Sequence, residues 1–361
     1  MASATMLMII LITCNKIAGR YRMQRKHSMP LPYATRRGAL RLAAAAGLAA
    51  LLGACNAPAE SDKAAAASAG WPRTLDTPKG KVTLDKMPQR IVSTSVTLTG
   101  TLLAIHAPVV ASGASAAHSK VTDDQGFFTQ WSAVAKQRGV TPLYQGEPNA
   151  EAIIAAQPDL IVMAGTGGDS ALKLYEQLSQ MAPTLVVNYD DKSWQELAAL
   201  LGQATGREAD ARAAIAGFDA EAAQLKAALK LPPQPTAALV YYEDGSGANL
   251  WTPQSAQGKL LQSLGFELAT APDSVKGNTS MGVRHDIIQL TGEKFADGLQ
   301  GKSMILFNAD QDQVPQVLAN PFLAGNPAVK AKQVYAAGLD TFRLDYYSAR
   351  NLLARLRKQF G

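Results

Sequence analysis

The body of this 361-residue chain is poor in side chains that do covalent chemistry. Past the first fifty-odd residues it has three histidines, His106, His118 and His285, and no cysteine beyond Cys55. The histidine spacing matches no common zinc pattern. There is no Gly-x-Ser-x-Gly elbow and no His-Glu-x-x-His helix, so neither a serine hydrolase nor a zincin is expected. His285-Asp286 has the form of an orienting pair, although a lone His beside an Asp is more often structural. Gly165-Thr166-Gly167-Gly168-Asp169-Ser170 lies between an apolar run and a helical pattern, where phosphate loops lie. It lacks their lysine and the spacing of a dinucleotide fingerprint. It reads instead as a tight turn in which Asp169 or Ser170 caps the next helix. These residues point to a binder rather than an enzyme.

Binding residues need elements to hold them, and the chain is organised around Thr205 to Pro233. Thr205 with Glu208 three residues on reads as a capping box. Ile215, Phe218, Ala222, Leu225 and Leu229 recur at steps of three and four, making one apolar stripe. Pro232-Pro233 stops the helix, because proline donates no amide hydrogen bond and restricts the residue before it. At ~1.5 Å per residue the strut is roughly 36 Å long. Before it, a strand pattern at Arg90–Ser95 and apolar runs at Val109–Ala111, Leu160–Met163 and Leu185–Val187 alternate with helical patterns. After it, Ala237–Tyr242, Leu250–Thr252, Met304–Phe307 and Val334–Ala336 do the same, and Asp345–Phe360 is a terminal helix. Continuous apolar runs fit strands covered on both faces, and the alternation predicts parallel sheets. The expected fold is α/β, with two Rossmann-like lobes joined by one long helix and a ligand cleft between them. The expected divisions are an N-terminal lobe over 73–204, the linking helix over 205–231 and a C-terminal lobe over 232–361.

The formal charge of +6 is a property of the leader. Eight basic residues and no acidic one precede Cys55, which leaves 27 basic against 29 acidic residues, or −2. No nucleic-acid partner follows from the charge. Residues 1–54 read as an export signal: Arg36-Arg37, suggesting twin-arginine export, then an apolar run from Leu42 to Leu52 too short to span a membrane. Leu52-Gly53-Ala54-Cys55 resembles a bacterial lipobox, which implies cleavage before Cys55 and acylation of that residue. More than one acyl chain makes anchoring stable. The Ala- and Ser-rich stretch 55–72 is a flexible tether. Localisation in the periplasm, lipid-anchored to a membrane, is the expectation.

From Trp71 onward the chain resembles the periplasmic ferric-enterobactin-binding (FepB-like) proteins. These belong to the class of substrate-binding proteins whose lobes share a single long helix. The resemblance is densest at Gln89–Gly100, Asp123–Phe127, Thr166–Ser170, Asn188–Trp194, Ala248–Pro253, Arg284–Ile288 and Thr341–Tyr347. It implies a substrate-binding lipoprotein that captures a ferric catecholate siderophore and delivers it to the permease subunits of an ABC importer, with no cofactor. Ferric enterobactin carries three negative charges, so basic side chains must converge on it to offset desolvation. The resemblance places Lys120 in the first lobe and Arg284 and Arg343 in the second. Trp251 would supply an aromatic wall, with Thr97 and Tyr242 as weaker candidates. Lys120 stands where an arginine is expected, and lysine brings a point charge without a bidentate fork. The residues also allow a plainer reading, in which Asp286 and Asp345 are local salt-bridge partners of Arg284 and Arg343. Glu151 and Glu293 each open an α/β unit, and the resemblance makes them the permease-docking pair; helix-dipole stabilisation of first-turn glutamates is the alternative. Catecholates already fill the iron's coordination sphere, so no protein ligand to iron is needed, which fits the scarcity of histidine. Haem, cobalamin and hydroxamate siderophores are the alternative ligands, and an enzyme or a structural lipoprotein of the same fold the alternative function.

Overall fold

The computed structural model describes residues 70–275, 284–292 and 294–361. Cys55 and Glu293 lie outside the described residues, as do the export signal and most of the tether.

A two-stranded antiparallel hairpin, β1 (Arg73–Thr77) and β2 (Gly80–Leu84), precedes the first lobe. The lobe then alternates β3 (Ile91–Ser93), α1 (Val96–Ala104), β4 (Val109–Ala114), α2 (Ser132–Gln137), β5 (Thr141–Gln145), α3 (Ala150–Ala155), β6 (Leu160–Ala164), α4 (Tyr175–Ser179), β7 (Thr184–Val187) and α5 (Trp194–Thr205). All its strand pairs are parallel, in the order β5-β4-β3-β6-β7. Every residue of β6 is fully buried, which is why Leu-Ile-Val-Met-Ala runs apolar without alternation. The chain winds outward from β3 through β4 to β5, then returns to the other side of β3 for β6 and β7. The β3/β6 boundary is therefore the switch point, beside whose carboxyl ends ligands bind in open α/β sheets.

The linking helix α6 (Glu208–Ala228) buries Ala211, Phe218, Ala222 and Leu225 along one stripe. It is 21 residues long, or roughly 31 Å. The expected capping box at its start does not form. Thr205 is the last residue of α5, and its hydroxyl donates to the Leu201 carbonyl at 2.7 Å. Gly206 then takes a left-handed conformation (φ 68°) that ends α5, and Arg207 caps α6 without a side-chain hydrogen bond. The capping box of this region belongs to α5, between Ser193 and Glu196.

The second lobe contains β8 (Thr236–Tyr241), β9 (Gly247–Trp251), α7 (Ala256–Ser263), β10 (Ile287–Thr291), α8 (Lys294–Gly298), β11 (Ser303–Phe307), α9 (Val314–Ala319), α10 (Pro327–Lys330), β12 (Val334–Gly338) and α11 (Tyr346–Phe360). Its sheet, β10-β9-β8-β11-β12, is mixed: β8, β11 and β12 are parallel, whereas β9 runs antiparallel to both β8 and β10. The Gly-rich turn after β8 is short enough to reverse the chain directly, where a parallel connection needs a crossover. The terminal helix α11 packs against β12 and α6, and also against α1 of the first lobe.

Candidate functional site

Residues that follow the parallel strands of both lobes line a common cleft, delivered by loops and by the first turns of α1 and α7. In the first lobe Ser95 caps α1 just past β3 and Thr97 sits in the first turn of that helix, the Gly-rich turn after β6 carries Asp169, and Tyr189 follows β7. Asp169 caps no helix, whereas the Ser170 hydroxyl donates to the Ala164 carbonyl (2.7 Å) and accepts the Leu172 amide (3.3 Å) where the single 3-10 turn Leu172–Leu174 begins. The Asp169 carboxylate instead accepts from the Ser95 hydroxyl, the Thr97 amide (3.0 Å) and the Tyr189 hydroxyl (2.9 Å). Burial raises the pKa of the Tyr189 phenol well above its ordinary value, against the opposing charge of Arg343.

In the second lobe the segment after β12 carries Phe342 and Arg343. The Gln257 side chain of α7 holds that segment, donating to the carbonyls of Thr341 (3.2 Å) and Phe342 (2.8 Å). The Arg343 guanidinium lies over two rings, 4.6 Å from the centroid of Phe342 and 5.1 Å from that of Tyr189 across the cleft. Among the described residues no carboxylate pairs with Arg343. Asp345 is buried and occupied elsewhere. It caps α11 through the amides of Tyr347 (2.8 Å) and Ser348 (3.0 Å), and it accepts from Gln130 of the first lobe at 3.2 Å. Burial pushes its carboxyl up to about 6 despite those hydrogen bonds.

Arg284 is different. Its guanidinium donates to both oxygens of Asp286, with Nε to Oδ1 at 2.8 Å, and the two side chains are 15% and 5% exposed. Those hydrogen bonds raise the arginine pKa further. The local partner is therefore real for Arg284 and absent for Arg343. Asp286 serves Arg284 and not His285, which is exposed, so the orienting pair does not form. Arg284 and Arg343 nonetheless both act electrostatically on Tyr189. Thr97, Trp251, Asp286 and Arg343 line one small cavity in the cleft. Trp251 is 2% exposed in β9, within ring contact of Phe342 and Phe307, and its indole N–H has no partner among the described residues.

Two predicted residues stand apart from this group. Lys120 is exposed in the loop after β4; its neighbour Val121, not Lys120, lines the adjoining cavity with Phe128 and Phe342. Tyr242 hydrogen-bonds Asn249 (2.7 Å) and Gln289 (3.2 Å), in a polar cluster on the antiparallel part of the second sheet. Glu151 is exposed in the first turn of α3, which Asn149 caps. The residues that sequence reasoning left unassigned are Asp169, Tyr189 and Gln257. Tyr189 carried a usable signal: an aromatic two residues past a fully buried strand, in the polar run Asn188–Asp191.

The lobes also touch beside the cleft. Lys259 of α7 donates to the Asp191 carbonyl (2.9 Å) and to Glu196 of α5 (2.8 Å). Burial opposes the Glu196 charge, but the bonds from Lys259 and Ser193 outweigh it and hold that carboxyl at about 2. The cavities lined by Arg343 measure about 160 and 30 Å³. That is below the ~300–1,000 Å³ of ordinary small-molecule sites, so a large ligand must part the lobes to enter.

Two α/β lobes on a single helix, with cations and aromatics converging between them, define a solute-binding protein. The chain belongs to the periplasmic binding protein family, whose pattern matches residues 91–341. It is 57% identical over 297 residues to the ferric enterobactin-binding periplasmic protein FepB of Escherichia coli O6:H1, spanning 82% of this chain and 93% of that one. The crystal structure of holo-ViuP has the same fold with a TM-score of 0.75 at 35% identity, covering 81% of this chain and 96% of that one. The periplasmic catecholate-siderophore binding protein VctP from Vibrio cholerae matches in fold with a TM-score of 0.57 at 20% identity, covering 80% and 99%.

Proposed function

We propose that this protein captures a ferric catecholate siderophore of the ferric-enterobactin type and hands it to an inner-membrane ABC importer. The observation that carries the reading is Arg343: a partly buried cation with no acid partner among the described residues, held against aromatic rings where the two lobes meet. A guanidinium in that setting is matched to an anionic aromatic ligand, since it ion-pairs with catecholate oxygens and stacks on catechol rings. Arg284, paired with Asp286, adds a second guanidinium near the same point, and Trp251 adds an aromatic wall whose N–H has no partner among the described residues. Lys120, exposed in the loop after β4, is proposed to add charge once the lobes enclose the ligand. Thr97 lines the floor of the cleft. Tyr242 is the weakest of the proposed contacts, because its hydroxyl is engaged outside the Arg343 cavities.

The full reading also includes delivery. Glu151, exposed on the first lobe, and Glu293, at the matching position of the second, are proposed to meet basic residues of the two permease subunits. Cys55 is proposed as the acylated first residue of the mature chain, tethering it to a membrane. Among the described residues no helix is long and apolar enough to cross one.

The direct test is titration of intrinsic tryptophan fluorescence. Trp251 lies against Phe342, so ferric enterobactin is expected to quench it saturably, and neutral ferric hydroxamates are expected to do so far more weakly. A protein that ignores the ferric catecholate, or prefers the neutral hydroxamate, would overturn the reading.

A further inference from the structure

The Gly-rich turn after β6 has no phosphate-binding features, yet it is built around one side chain. Gly167 adopts φ +89°, and a Cβ there would lie 1.6 Å from the Tyr189 hydroxyl oxygen. No other residue leaves room for that ring. Two residues on, Asp169 accepts the Tyr189 hydroxyl at 2.9 Å. Asp169 is itself fixed by the Ser95 hydroxyl and the Thr97 amide, at the end of β3. The phenol is thus gripped at its hydroxyl and walled by backbone, and Tyr189 is 6% exposed. Its ring face is what remains available, and the Arg343 guanidinium of the other lobe lies over it at 5.1 Å.

We infer that the Gly167–Asp169 turn and Tyr189 form a positioning platform for Arg343. The turn clamps the tyrosine, and the ring fixes where the second lobe's unpaired cation sits when the lobes approach. Phe342 packs on the guanidinium from its own segment (4.6 Å), so the charge is held between a ring from each lobe. A guanidinium confined by two rings loses less freedom when it meets an anion. Asp169 and Tyr189 then set affinity through Arg343 without contacting the ligand. The inference rests on the ferric-siderophore reading for its ligand, but its first test needs none.

That test is modification of Arg343 by phenylglyoxal in the unliganded protein, followed by mass spectrometry. Arg343 is expected to react several-fold faster in Tyr189→Ala than in the parent, while Arg284, engaged by Asp286, keeps its rate. Equal Arg343 rates in the two proteins would overturn the platform. The second test is a mutant cycle read by ferric-enterobactin titration. Tyr189→Phe keeps the ring and removes only its bond to Asp169, and is expected to weaken binding about two- to tenfold, the range of one lost hydrogen bond. Asp169→Asn is expected to act by the same route, so that the pair together is no worse than either alone. Neither is expected to weaken Arg343→Ala further. If either lowers the affinity of Arg343→Ala by the factor seen in the parent, the residues act independently of Arg343 and the inference fails. A parent protein that does not respond to ferric enterobactin would sink the siderophore reading alone, because the phenylglyoxal rates would still decide the platform.

Discussion

Replacing Arg284 by alanine should harm the protein in two separable ways. Asp286 is only 5% exposed, and both its oxygens are committed to the guanidinium. Removing the arginine leaves a buried carboxylate with neither water nor a cation. Fully buried pairs broken from one side lose about 3–5 kcal/mol, and single charge-assisted hydrogen bonds are worth about 1.5–3 kcal/mol. Arg284 is 15% exposed, so the lower part of that span applies, about 2–3 kcal/mol. For a body of this size 1 kcal/mol moves the melting temperature by about 2–4 °C, which gives a fall of roughly 4–12 °C. Affinity for ferric enterobactin should drop as well, by about one to two decades, if the guanidinium also faces the ligand. The separation comes from a second substitution. Arg284→Ala with Asp286→Asn removes the uncompensated charge, so it should recover most of the melting temperature and none of the affinity. Circular-dichroism melts of the unliganded protein and fluorescence titrations of the same samples make both measurements. A melting temperature unmoved by Arg284→Ala would refute the claim that the pair is buried and mutually dependent. Recovery of affinity in the double variant would refute the claim that the cation serves the ligand.

Arg343→Ala should behave differently: affinity falls by about one to two decades, whereas the unliganded melting temperature barely moves, because no buried acid among the described residues depends on this cation. A large loss of stability would show that its ring contacts are structural. Reversing the charge of Glu151 and Glu293 together should abolish siderophore transport in cells and leave affinity in solution unchanged; weakened binding would place them at the cleft. Cys55→Ala should release the protein from the membrane fraction, and mass spectrometry of an unmodified peptide spanning Cys55 in the native protein would contradict the anchor. Asp345 should give a pH signature. Its folded carboxyl titrates at about 6, above the ordinary 3.8, so between these values the folded state binds more protons than the unfolded one. Stability therefore falls as pH rises from about 4 to 6, by an amount on the order of 3 kcal/mol. Urea melts across that range should show the slope, and Asp345→Asn should flatten it; an unchanged slope in the variant assigns the effect to another group.

Much of the architecture was legible because it follows from local chemistry. Leu160–Met163 is apolar throughout, and only a strand covered on both faces needs that, so a parallel sheet followed. The apolar stripe of Phe218, Ala222 and Leu225 announced a helix packed along one side. Pro232-Pro233 marked its end, although the chain leaves helical geometry slightly earlier, at Leu229. Such signals depend on neighbours within a few positions. The start of the long helix was misjudged for the same reason. Thr205 and Glu208 satisfy the capping spacing, but the spacing does not reveal that Gly206 turns left-handed between them. The antiparallel return of β9 onto β8 is a local feature of the short Gly-rich turn between them, whereas the pairing of β10 with β9 was invisible, since partners far apart in sequence are chosen by the packing of the whole lobe.

For the site, the sequence by itself determined which kinds of groups were available: few histidines, arginines beside aromatics, a Gly-rich turn without a lysine. Only the tertiary structure decided how they were used. Arg284 and Arg343 look alike in the chain, each two residues before an aspartate. In the fold Asp286 turns back onto Arg284, while Asp345 turns inward to cap α11 and meet Gln130. One cation is thereby neutralised locally, and the other has no acid partner among the described residues. The Gly-rich turn likewise acquires a purpose only when β7 brings Tyr189 alongside it, 20 residues away in sequence from the aspartate that holds it. The physical reason is common to these cases. Hydrophobic periodicity is written into short stretches of chain, whereas the pairing of a charge depends on which groups burial brings within about 3 Å of it.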